Sequence, residues 1–138
     1  MNAHALASSA TRPQLIDWAR FHLVRDYADR RIVRLISYFR EDAETCLAAA
    51  DKAARAGNLC AMIGQLEALR RDAMQLGALG LAELAESIEH EARDILDHGM
   101  TDFALPPGLP ALSRALQDTL GALEAEISAP PAALQTSR

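Results

Sequence analysis

Aromatic residues make up only 4% of this 138-residue chain, and cysteine occurs twice, as Cys46 and Cys60. A core poor in rings and β-branched residues but rich in Leu, Ile and Ala favours helices over sheet. Two cysteines without metal-ligand spacing exclude a disulfide scaffold and a thiolate metal site. Each then serves as a small apolar residue inside a helical pattern. No run approaches the roughly 18 apolar residues that span a bilayer, and Met1 to Arg12 lacks the basic start and apolar stretch of a secretory signal. A basic excess is missing too. With 14 Lys and Arg against 19 Asp and Glu, the net charge is −5, and the chain lacks the cationic face that phosphate neutralisation needs. Glycine-rich phosphate loops, nucleophilic triads and paired active-site carboxylates are absent as motifs. These absences predict a soluble, cytoplasmic protein that is not an enzyme, binds no cofactor or metal, and has no nucleic-acid or membrane partner.

What is present is helical periodicity. Half of the residues are hydrophobic, enough to build one core at this length and too little chain for two. Residues 1–10 and 129–138 are small, polar or proline-interrupted, and predict disordered tails around one helical domain over residues 11–128. A short first helix is expected from an N-cap at Thr11, with Pro13 in its first turn and Leu15, Ile16, Trp18, Ala19 and Leu23 as its apolar residues. The second helix opens near Asp29 and carries Ile32, Leu35, Ile36, Phe39, Ala43, Leu47, Ala50 and Ala54 on one side, ending at Gly57. Asn58 caps a third, with the stripe Leu59, Met62, Leu66, Leu69, Ala73 and Leu76, ending at Gly77. The fourth runs from about Leu79 to His98 with Leu81, Leu84, Ile88, Ala92 and Ile95 inward. After a loop from Met100 to Pro107, broken by its prolines and Gly108, a fifth follows with Leu109, Leu112, Leu116, Leu120, Leu123 and Ile127. The fold class is therefore all-α. Four long amphipathic helices with short connections predict an antiparallel up-down four-helix bundle, and the short N-terminal helix covers an end or side.

The third helix has an unusual exterior. At about 100° per residue, Glu67 points away from the apolar stripe. Ile63, Gly64, Arg70, Arg71 and Met74 surround it at helical neighbour positions, with Cys60 a turn back and Gln75 toward the Gly64 side. Two readings fit this spacing. The group is a protein-docking surface, or Ile63 and Met74 pack under the first helix while Glu67 pairs with Arg70 or Arg71 as an ordinary surface ion pair. Elsewhere, His90, Asp94 and His98 share one side of the fourth helix, a weak metal signal without a ligand from a second helix. Glu83, Glu86, Glu89 and Glu91 read as that helix's solvated side.

Between Ile32 and Glu89 the pattern resembles the histidine phosphotransfer (HPt) family. Ile32-Val33, Leu35-Ile36 and Phe39-Arg40-Glu41-Asp42 match its aliphatic start and Phe-x-x-Asp region. Leu69 with Leu76-Gly77-Ala78 matches the end of its H-x-L-K-G-x-x-x-x-L-G-A helix, and Leu81, Leu84 and Glu89 match the segment that follows. The resemblance implies an HPt-like bundle in bacterial two-component signalling whose partner is a response-regulator receiver domain or a sensor histidine kinase. It also puts Glu67 where the family keeps its phospho-accepting histidine, Arg70 at its lysine and Arg71 at its small glycine. A carboxylate cannot replace the imidazole nitrogen that forms the phosphoramidate. The expected protein is thus a degenerate, non-catalytic HPt-like module docking through Cys60, Ile63, Gly64, Glu67, Arg70, Arg71, Met74 and Gln75. Two alternatives stand beside it: a structural bundle for interaction or dimerisation without a relay partner, and an active relay through another histidine such as His90 or His98.

Overall fold

A computed structural model describes residues 15–99 and 108–129. The expected tails (Ala129 apart), the Thr11 cap with Pro13, and the loop from Met100 to Pro107 lie outside the described residues. Among those described, every regular element is helical: α1 (Trp18–Ala28), a 3₁₀ turn (Asp29–Arg31), α2 (Ile32–Arg55), α3 (Leu59–Leu76), α4 (Leu79–Asp97) and α5 (Gly108–Ser128). No helix among them is long and apolar enough to cross a membrane.

The four long helices pack against each other around one core. α3 lies against α2 and α4, and α5 closes the group by lying against the same two helices. The stripe on α3 is buried along its whole length, from Leu59 at 3% exposure to Leu76 at 3%. On α5, Leu109, Leu112, Leu116, Leu120 and Leu123 are buried, and Thr119 joins them because its hydroxyl donates to the Ala115 carbonyl at 2.7 Å. A hydroxyl satisfied within its own helix can enter an apolar core at little cost. Two expected inward residues of α2 differ: Leu47 is half-buried, and Leu35 is 36% exposed.

Glycine and asparagine set the connections. Gly57 (φ 75°) and Gly77 (φ 81°) take the left-handed conformation that ends α2 and α3. Asn58 caps α3, its side chain accepting from the Ala61 amide at 3.1 Å. Gly108, expected as a breaker, is instead the first residue of α5, where Pro110 fits the initial turn because the amide it lacks has no intrahelical partner there.

The N-terminal segment departs most from the periodicity. Leu15 and Ile16 precede the first helix, and the described cap is Asp17, whose carboxylate accepts from the Arg20 amide at 3.2 Å. The cause is a backbone splice onto the α3–α4 turn. The Asp17 amide donates to the Gly77 carbonyl at 2.7 Å, and the Gly80 amide donates to the Leu15 carbonyl at 3.0 Å. Starting the helix at Trp18 turns Phe21 inward, fully buried, and leaves Leu23 65% exposed.

Gly77 serves this splice twice. Its φ favours glycine, and a Cβ there would sit 2.7 Å from the Asp17 carbonyl oxygen, whereas at Gly57 a Cβ would meet nothing within 4 Å. Gly57→Ala should therefore cost about 1–2 kcal/mol for the left-handed φ alone. Gly77→Ala should cost about 1–3 kcal/mol more through the clash. Urea unfolding of both variants measures the difference.

Candidate functional site

Two faces of α3 have opposite character. Ile63 is buried at 8% with the stripe residues, so it belongs to the core rather than to the surface around Glu67. On the other side Cys60, Gly64, Arg71, Met74 and Gln75 are exposed and Glu67 is half-buried. Positions 60, 64, 67, 71 and 74 advance by alternating steps of four and three, which aligns them along one side of a helix. A Cβ added at Gly64 would meet nothing within 4 Å, so the stripe is bare of side chain one turn before Glu67. At its far end the stripe meets the start of α1: Met74 and Gln75 line a cleft with Asp17 and Arg20, and Arg20 donates to the Gln75 carbonyl at 3.2 Å.

Glu67 does not pair with Arg70 or Arg71. Its partner is Arg93 of α4, at 2.5 Å. Arg93 also lies 3.7 Å from the carboxylate of Glu89, and Glu89 accepts from Nε of Arg70 at 2.8 Å. The result is a chain of alternating charge across the α3–α4 contact: Arg70, Glu89, Arg93, Glu67. Glu89, read from the sequence as solvated, is 4% exposed. Its hydrogen bond to Arg70, then its charge, holds the Arg70 guanidinium above its usual range. Neither Glu89 nor Arg93 was among the expected site residues. The spacing carried a signal, because Glu89 lies four residues after Ala85 and three before Ala92, both fully buried.

On the side of α3 toward α2, burial and the charge of nearby Asp42 push the Asp72 carboxyl upward, with Arg71 opposing the shift. Burial, followed by the charges of Asp72 and Asp42, also raises the Cys46 thiol. A raised thiol is a weak nucleophile at neutral pH. The histidines are dispersed. His22 Nε2 lies 3.0 Å from Glu126, His98 Nδ1 lies 2.7 Å from the Asp94 carbonyl, and His90 is exposed. Among the described residues no three His, Cys, Asp or Glu side chains gather as a metal site.

The network divides into a buried half and an exposed half with different energetics. Glu67 and Arg93 are 38% and 50% exposed, so Glu67→Gln should cost less than about 1 kcal/mol. Arg70→Met strips the close partner from buried Glu89 and should cost about 3 kcal/mol. Adding Glu89→Met should restore much of that loss, because no buried charge is then left without its partner. Chemical unfolding of the three variants tests this order. For Asp72, a carboxyl raised in the fold is penalised when ionised, and the penalty is present above its folded pKa and absent below its ordinary value of 3.8. Asp72→Asn should raise the melting temperature at pH 7, with the gain vanishing as the pH falls toward that value, in a calorimetric pH series.

No family model, curated protein or solved structure matches the chain.

Proposed function

We propose that the chain is a cytoplasmic, non-catalytic HPt-like protein of two-component signalling. In this reading it docks on a receiver domain or a sensor histidine kinase through the α3 face around Glu67. The one observation that carries the reading is the continuous exposed stripe from Cys60 to Gln75 with Glu67 at its middle. The resemblance assigns this stripe to partner contact, and its physical character supports that use. Gly64 opens the backbone, Met74 offers an adaptable apolar contact at 53% exposure, and Arg71 offers a cation. The short connections, Ala56 to Asn58 between α2 and α3 and Gly77–Ala78 between α3 and α4, support an up-down order of the helices.

Arg93 sharpens what Glu67 does. A carboxylate already held at 2.5 Å by a guanidinium is a poor stand-in for the dianionic phosphoryl group of a phosphohistidine. Glu67 instead displays one half of a mixed-charge pair, and a partner reads both signs. A partner carboxylate can share Arg93 and a partner cation can share Glu67, with little reorganisation because Glu89 and Arg70 hold the base of the network. Phosphoryl transfer is not part of this function, since position 67 lacks a nitrogen nucleophile.

Cys60 provides an exposed native reporter at the end of the stripe, whereas Cys46 is half-buried and its thiol is pushed up, which slows its labelling. In a panel of purified receiver domains and kinase dimerisation domains, the cognate partner should slow maleimide labelling of Cys60. Glu67→Arg, which opposes Arg93, should weaken binding by about tenfold or more. Labelling that stays unprotected across the panel, binding indifferent to Glu67→Arg, or radiolabel passing from a phosphorylated receiver to this chain would contradict the proposal.

A further inference from the structure

Exposed apolar side chains are concentrated far from Glu67 in sequence. Of the eight large hydrophobic residues exposed among the described ones, five lie on α1 and the first half of α2: Leu23, Tyr27, Val33, Leu35 and Tyr38. Tyr27 is 86% exposed and Tyr38 55%. Between the two helices is a cleft of about 270 Å³ in which Val24, Ala28 and Leu35 stand beside the two tyrosines. Its only charged lining residues are Arg31 and Arg34. Arg30 joins these two arginines around an adjoining hollow with Val33 and Ser37.

These arginines differ from five of the eight others among the described residues. Arg25, Arg40, Arg55, Arg70 and Arg93 each face a carboxylate. Arg30, Arg31 and Arg34 have no described carboxylate within 4.0 Å, although Asp26 and Asp29 are close in sequence. They also stand at the N-terminal end of the 24-residue α2, whose first turn holds no acid. That end of a helix carries about half a positive charge, so cations there are destabilising. An unpaired cationic cluster on an unfavourable dipole, in a chain of net charge −5, is relieved by an anionic partner. The concave apolar cleft selects which kind. It suits one inserted side chain better than a flat lipid surface, and Tyr and Arg are among the residue types enriched in protein hot spots.

We propose that the α1–α2 cleft is a second docking site, for an acidic protein segment that inserts one large apolar side chain between carboxylates held by Arg31 and Arg34. It is separate from the α3 face, so either site can fail without the other.

The test is selection of a random peptide library on the full chain and, in parallel, on Arg31→Glu/Arg34→Glu, followed by anisotropy titration of the enriched peptides. The chain should enrich peptides with Asp or Glu flanking Leu, Phe or Trp. Their affinity should fall about tenfold or more in the double variant and in Tyr38→Asp, and stay unchanged in Glu67→Arg. All four positions are at least partly exposed, and an unshifted melting temperature checks that each variant is folded. Several results would overturn the proposal: no enrichment, enriched peptides without acids, or equal binding by the double variant. Arginine-dependent binding of phosphatidylserine vesicles in place of peptide would identify a membrane site instead. Self-association abolished by the double variant would identify a second copy as the occupant.

Discussion

Glu89 is a carboxylate almost without access to water, and the two arginines beside it tie α3 to α4. Arg70 reaches it from α3 at 2.8 Å, and Arg93 lies 3.7 Å away, one turn along its own helix. Removing either arginine leaves a buried charge with half its compensation, so sliding α4 along α3 carries an electrostatic cost as well as a packing cost. Leucine stripes alone specify such sliding poorly, since Leu66 and Leu69 would find apolar neighbours in several registers. The charge chain has all four of its members paired in the register observed. Glu67 is its outermost member, and its place on the surface is inherited from the buried end.

A second constraint fixes the turn end of the α3–α4 pair. The extended segment from Leu15 to Asp17 is hydrogen-bonded to the turn at Gly77 and Gly80. This starts α1 at Trp18 and buries Ile16 and Phe21 together with the ends of the long helices. Arg25 and His22 then face Glu126 of α5, so α1 is held from two sides. The price is exposure, because Leu23 and Tyr27 are turned outward by the same rotation that buries Phe21. The apolar edge beside α2 therefore follows from how the N-terminal segment is spliced, not from a lack of core-forming residues.

Much of the helix layout was legible because its signals are local. Gly57 and Gly77 end helices by a conformation that glycine alone adopts cheaply, and Asn58 caps its own following turn. The α3 and α5 stripes follow from leucines repeating every three or four residues. The first helix was misread because Leu15 and Ile16 fit a helical period equally well, and only the distant Gly77 turn draws them into an extended backbone. Glu89 was misread for a related reason. Its residue type predicts solvent, and its burial depends on Arg70, nineteen positions earlier. At the site, the exposure of Cys60, Gly64, Arg71, Met74 and Gln75 was readable from angle alone. Pairing of Glu67 across to α4, and the loss of Ile63 to the core, required tertiary structure.

The outer pair Glu67–Arg93 continues the buried Arg70–Glu89 pair, and the proposed function makes the α3 face beside it a docking surface that receives no phosphate. Backbone amide shift mapping of the isotope-labelled chain, titrated with its cognate receiver or kinase domain, measures this directly. The predicted result is a contiguous set of perturbed amides from Cys60 to Gln75 extending to Arg93. Perturbations confined to α5, or to the α1–α2 edge with the α3 stripe silent, would contradict it.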